Sequence, residues 1–131
     1  MADAKSDYLE RKILDHALGT TTFTKPTTVY VALFTTNPVD AGSGTEVTGG
    51  SYARQSVTFA SASTSSGTTT AVSNAGVTFT NLPTATITHM ALYDASTSGN
   101  LLYYGALTAS KSVTSGDNFT INSGQLSIEE Q

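Results

Sequence analysis

The stretch Thr86–Leu107 reads T-I-T-H-M-A-L-Y-D, then A-S-T-S-G-N, then L-L-Y-Y-G-A-L. Two runs of β-forming residues flank a polar break that carries Gly99 and Asn100. This pattern predicts two neighbouring strands joined by a long hairpin loop. Neither run alternates cleanly. Strict alternation puts Ile87, Ala91 and Tyr93 on one face and Met90 and Leu92 on the other, with Leu101, Tyr103 and Gly105 opposite Leu102, Tyr104 and Ala106. A strand that is apolar on both faces is covered on both faces. One face is therefore expected to be core. The other is expected to lie under an N-terminal helix or a neighbouring chain.

Working outward, Thr28–Thr35 (T-V-Y-V-A-L-F-T) has the same two-sided apolar character and is expected to be central as well. Shorter strands are expected at Tyr52–Phe59, within Thr70–Thr80, at Ser110–Thr114, at Phe119–Ile121 and near Leu126–Ile128, with turn residues between them. Val39–Ser51, with Gly42, Gly44, Gly49 and Gly50, is a long glycine-rich loop of the kind that is functional or mobile. Ala60–Thr69 reads as a second loop. The one convincing helix runs from about Asp7 to Leu18. Ser6 or Asp7 is its N-cap, Leu9, Ile13 and Ala17 form an apolar row with Leu14 and Leu18 beside it, and Gly19 is the stop. Met1–Lys5 is polar and reads as an arm. The expected fold is all-β: an antiparallel, jelly-roll-like β-sandwich of about seven to nine short strands with one N-terminal α-helix. Residues 1–25 form the arm and helix, and residues 26–131 form the sandwich body.

Composition agrees. With 24 Thr and 16 Ser in 131 residues but only 12% charged residues, polarity comes from hydroxyls, which suits strands and turns. Residues 1–25 hold four cations against four carboxylates. The remainder holds Arg54 and Lys111 against six carboxylates, so the whole net charge of −4 falls there. A weakly acidic body without clustered Lys and Arg disfavours nucleic-acid and anionic-membrane partners. The absence of Cys excludes a disulfide framework. Without an apolar leader or membrane-length run, the chain is expected to be a soluble protein made in the cytoplasm.

The search for chemistry yields no constellation. His16 lies on the helix and His89 on a strand, neither with a nucleophile and an orienting carboxylate around it. Asp94-x-Ser96-x-Ser98-Gly99 echoes half a calcium loop, but Gly105 falls where the bidentate Glu belongs, so Asp94 reads as a turn cap. The loop glycines do not match G-x-G-x-x-G. Tyr93, Tyr103 and Tyr104 read as core or interface residues rather than a ligand platform. No catalytic residue, metal site or cofactor is expected, and the chain is expected not to be an enzyme.

The blocks S-D-Y-L-E-R-K-I-L-D-H-A-L-G, V-Y-V-A-L-F-T-T-N-P, G-T-E-V-T-G-G-S-Y-A-R-Q-S-V-T-F, I-T-H-M-A-L-Y-D and G-N-L-L-Y-Y-G-A-L-T-A-S-K-S-V-T-S-G-D-N-F-T-I, covering about Ser6 to Ile121, resemble a family of small proteins of tailed bacteriophages and prophages often labelled tail-fibre-like. The resemblance implies a virion structural protein assembled in the host cytoplasm. The first expectation is a capsid decoration, or cement, protein on the major capsid protein, acting as a homo-oligomer such as a trimer. The alternatives are a tail-tip or tail-fibre-associated subunit bound to tail proteins, and a carbohydrate-binding attachment module with Tyr30, Tyr52 or Tyr103 exposed. On this reading the helix is a docking element through Tyr8, Leu9, Arg11, Lys12, Ile13, Leu14 and Leu18. Val39, Asp40, Glu46 and Val47 form a second contact loop.

Overall fold

The computed structural model describes residues 2–130; Met1 and Gln131, the outer ends of the expected arm and body, lie outside the described residues. In chain order the elements are β1 (Ala2–Lys5), α1 (Asp7–Ala17), β2 (Val29–Phe34), β3 (Gln55–Val57), β4 (Ser63–Ser65), β5 (Thr68–Val72), β6 (Val77–Leu82), β7 (Ala85–Tyr93), β8 (Leu101–Val113), β9 (Asp117–Ile121) and β10 (Ser127–Glu130). A five-stranded sheet runs β1-β8-β7-β2-β3, a three-stranded sheet β10-β5-β4, and a two-stranded sheet β6-β9. All pairings are antiparallel. The architecture is all-β and sandwich-like with one short N-terminal helix. Val31, Leu33, Met90, Leu92 and Leu102 of the large sheet share one core with Val77, Phe79, Leu82, Ile121 and Ile128 of the two smaller sheets.

The strands that read as apolar on both faces, β2, β7 and β8, are the three inner strands of the large sheet. The hairpin does not keep the strict alternation of its sequence. Ile87 pairs with Lys111 but His89 pairs with Ala106, and Leu92 pairs with Tyr103 but Tyr93 with Leu101. At the first break β8 carries extra residues, and at the second Leu102 is the extra one. A bulge changes which face the following side chains meet. Leu102 and Tyr103, at the bulge of β8, meet the main core as neighbours, and Ile87, expected beside Ala91 and Tyr93, lies across the break at Thr88 and joins that core with Met90 and Leu92. Ala91, Tyr93 and Leu101 join Ala32 and Phe34 in a second cluster, with Tyr104 against it.

Other differences from the expected elements have local causes. Residues 2–5, read as a polar arm, pair with β8 from Ala2↔Ala106 to Lys5↔Tyr103 and so supply the edge of the large sheet. The expected loop 60–69 contains β4 and a two-residue turn to β5. Ser66 and Gly67 both have positive φ, 52° and 83°, as a twist-matched hairpin turn requires. The two expected strands 101–107 and 110–114 are one long strand. That merger, the two additions and the division of the expected strand within 70–80 into β5 and β6 bring the described residues to ten strands. Hydroxyl pairs across strands, Thr64–Thr69 at 2.7 Å and Thr78–Thr120 at 3.2 Å, show where the threonine-rich composition goes.

Ser6 caps α1 with extended φ and ψ, and its hydroxyl accepts from the Leu9 N–H at 3.2 Å. The same hydroxyl donates to the Leu101 carbonyl, and the Ser6 N–H donates to Leu102 O at 2.9 Å, so the helix start is pinned to β8. Leu9 is buried in the main core, with Tyr8 and Ile13 packed against it. From Leu14 to Thr22 every residue is exposed. The helix thus inserts its first turns and leaves its far end in solvent.

Candidate functional site

The second, outer face of the hairpin was expected under α1 or a neighbouring chain. Within the chain its cover comes from the 38–46 loop and Arg54, not from α1. Gly42 makes this possible: a Cβ there would sit 3.6 Å from Leu101 Cδ2 and 3.7 Å from the Tyr93 hydroxyl, so the bare backbone already lies close on the sheet. The loop is not free. The Thr35 N–H donates to Thr45 O and the Val47 N–H to Leu33 O, both at 2.9 Å, extending the β2 edge. At Gly44 a Cβ would meet Asn37 O at 2.6 Å.

Arg54 is the centre of this layer. Its Nε and Nη2 donate to the two oxygens of Glu46, each at 2.9 Å. Its Nη1 donates to Ala95 O at 3.0 Å and Ser98 O at 2.7 Å, and its guanidinium lies 3.7 Å over the Tyr93 ring. The far face of the layer is Phe34, stacked on Tyr93 with centroids 6.3 Å apart. The Tyr52 hydroxyl donates to Glu46 at 2.6 Å and accepts from the Leu33 N–H at 3.0 Å. Burial lowers the Arg54 pKa, but the bonds to Glu46 outweigh it and the net shift is upward. Burial, then the bond to Glu46, raise the Tyr52 phenol well above its ordinary value. A fork-shaped cation thereby ties the 38–46 loop, the 95–98 loop and the sheet together. Beside it is a cleft of about 320 Å³ that also touches Ala41, Ser98 and Gly99. The Arg54 guanidinium and the Glu46 carboxylate thus each have their partners within the chain.

The expected docking residues divide. Leu9 is buried and Tyr8 and Ile13 are half-buried, Lys12 lies 5.7 Å from the Tyr8 ring centroid, and Arg11, Leu14 (58% exposed) and Leu18 (76%) face solvent. Of the expected contact loop, Val39 is exposed with φ +53°, unusual for a β-branched residue. The Asp40 carbonyl accepts from the Asp7 N–H at 3.2 Å, and its carboxylate accepts from the Tyr104 hydroxyl, whose pKa that bond pushes up to about 12. Glu46 and Val47 point inward, the first to Arg54 and the second into the core.

The remaining candidates are placed structurally. Asp94 caps its loop, accepting from the Asn100 N–H at 2.7 Å and its side-chain amide at 2.9 Å. His16 Nδ1 accepts from the Phe23 N–H at 3.1 Å, and His89 Nδ1 is 2.8 Å from Thr88 Oγ1. Tyr30, Tyr52 and Tyr103, which a carbohydrate-binding module would expose, are half-buried. The Tyr103 hydroxyl and Lys5 converge on Glu130 at 2.7 and 2.9 Å, joining β1, β8 and β10. Burial raises the Glu130 pKa, but its bonds to Lys5 and Tyr103 carry the net shift downward. Among the described residues no group of three or more His, Cys, Asp or Glu is placed to hold a metal ion, and no helix is long and apolar enough to cross a membrane.

The sequence reading missed Arg54 and Glu46 as a pair. The available signal was that Arg54 and Lys111 are the only cations after residue 25, so each has a reason to be there. No curated protein matches the chain. A family model described as podophage GP4 fiber I protein gp80 matches residues 4–129, nearly the whole of the chain. The chain accordingly belongs to that family of phage virion structural proteins.

Proposed function

We propose that the chain is a compact, non-catalytic subunit of the fibre apparatus, attached to other tail proteins of the virion. The observation that carries this reading over capsid decoration is the family's description as a fiber protein, which spans residues 4–129. The fold is consistent with it. The core is closed by one large and two smaller sheets and the sequence has no internal repeat, so the chain supplies a globular unit and not an elongated shaft. Residues 1–25 serve for attachment and residues 26–131 as the body, with Arg11, Leu14, Leu18 and Val39 as the outward-facing residues available for contact.

Localisation on the virion tests this. Antibody label or cryo-microscopy density is expected at the tail, with a handful of copies per particle by quantitative mass spectrometry. Density over the capsid shell at hundreds of copies would establish decoration of the major capsid protein in its place. Attachment through residues 1–25 is tested by substitution, since deleting them would also remove β1 and the buried Leu9.

A further inference from the structure

The cleft beside Arg54 is lined by polar groups that the fold does not use. Tyr93 is only 7% exposed, its ring packed with Phe34 and Arg54. A buried phenol ordinarily finds a hydrogen-bond partner. Among the described residues the Tyr93 hydroxyl has none, and it is not sealed from the open space of the cleft. Burial raises the Tyr93 pKa, Arg54 opposes that rise and Glu46 adds to it, so the phenol keeps a proton to donate. Two neighbours have capacity left over. Glu46 Oε1 accepts only from Arg54 Nη2, and the Glu46 side chain is 24% exposed. Arg54 spends one hydrogen on Nε, two on Nη1 and one on Nη2, so one of its five donors remains, on Nη2.

Size and charge select the occupant. At about 320 Å³ the cleft is at the small end of ligand sites, which run from about 300 to 1,000 Å³. The space exists because residue 42 is glycine: a Cβ there would stand 3.7 Å from the Tyr93 hydroxyl. Arg54 and Glu46 neutralise each other. An anion would meet the carboxylate and a cation the guanidinium, so neither gains a partner for its desolvation. The free groups are one donor, one acceptor and one hydroxyl that does both. Hydroxyls on adjacent carbons of a compact ring match that mixture, and they reproduce the bonds of the waters they displace.

We propose that this cleft binds a single neutral sugar ring, its hydroxyls bonded to Tyr93 Oη, Glu46 Oε1 and Arg54 Nη2. The Tyr93 ring is already packed, so the sugar meets its hydroxyl and not its face. The site is a property of the folded chain and stands wherever the subunit sits on the virion.

Amide chemical-shift mapping of the intact, isotope-labelled chain tests it. The probes are glucose, galactose, mannose, rhamnose and N-acetylglucosamine, each also as its methyl glycoside. At least one is expected to bind in the millimolar range, as suits so small a ligand, with shifts confined to residues 41–46, 54 and 93–101. Tyr93→Phe is expected to weaken that binding at least tenfold with the urea midpoint unchanged, because the hydroxyl has no in-chain bond to lose. Ala41→Trp, at an exposed residue of the lining, is expected to fill the cleft and abolish the shifts. If it fails to fold by circular dichroism, Tyr93→Phe carries the test. Binding of methyl glycosides marks a chain-linked sugar as the ligand and binding of free sugars alone a soluble one, and both support the proposal. It is overturned if no probe shifts these residues, if phosphate or lysine shifts them as strongly as any sugar, or if Tyr93→Phe binds like wild type. None of these results bears on the place of the subunit in the virion, which localisation decides.

Discussion

Replacing Arg54 by methionine removes the clamp of the outer layer while keeping an unbranched side chain of similar reach. Only 9% of the Arg54 side chain and 24% of the Glu46 side chain is exposed, so the pair is largely withdrawn from water. Removing one partner of a buried pair strands the other charge, at a cost of about 3–5 kcal/mol. Glu46 keeps the Tyr52 hydroxyl and some solvent, which argues for the lower end. Loss of the cation over the Tyr93 ring, at 3.7 Å, adds about 1 kcal/mol or more. The Ala95 and Ser98 carbonyls lie near the surface and find water. We expect about 4 kcal/mol in total, read as a fall in urea midpoint at constant m-value, and roughly 10–20 °C in Tm for a chain of this size. A double-mutant cycle with Glu46→Gln isolates the pair, and a coupling of about 2 kcal/mol is expected. Amide exchange in residues 95–100 should accelerate selectively. A loss below about 1 kcal/mol, or additive single mutants, would show that the outer layer stands without its clamp and that the argument is wrong.

Three further outcomes follow from the same geometry. Gly44→Ala drives a Cβ into backbone, 2.6 Å from Asn37 O and 2.7 Å from Pro38 Cα, and should cost about 1–3 kcal/mol in chemical denaturation. Leu9→Ala should cost about 2–4 kcal/mol, whereas Leu14→Ala and Leu18→Ala should each stay within about 0.5 kcal/mol for the isolated monomer. The pH dependence has two limbs. Glu130 titrates below its ordinary 4.5, so its stabilisation is present above that value and fades as pH falls through the lower folded value; wild type and Glu130→Gln should converge there. Tyr104 is raised from 10.0 to about 12, so its contribution is complete below pH 10 and is lost between 10 and about 12, a loss that Tyr104→Phe should abolish in alkaline denaturation.

The three inner strands were legible because burial on two faces leaves its mark on composition: Val29–Phe34, Met90–Tyr93 and Leu101–Leu107 carry apolar residues without a polar alternate. The helix was legible from its cap and stop. The face of Ile87 was not, because the ladder breaks between Ile87 and His89, and strict alternation along β7 does not announce that break. Strand β1 (Ala-Asp-Ala-Lys) is four residues long and has only alanine as its apolar alternate, too little to read as a strand. Its pairing with β8 overrides a polar sequence that in isolation has no reason to be extended. The outer layer was hidden for a related reason. Glu46 and Arg54 are eight positions apart, but the carbonyls that hold Arg54 are more than forty away, and the glycine that lets the loop lie flat looks like any other loop glycine. On the helix, the apolar stripe did not reveal that only its first turns would reach the body.

The two register breaks between β7 and β8 bear on mechanics. Two plain antiparallel strands can slide past one another by a pair of residues and recover every ladder hydrogen bond. Here the extra residues at Leu102 and between Ala106 and Lys111 act as teeth, since any slide sets both breaks against unbroken backbone at once. A shear load along the hairpin must therefore rupture the joint outright and cannot creep through it, a property that suits a part of a particle that has to hold its shape under tension.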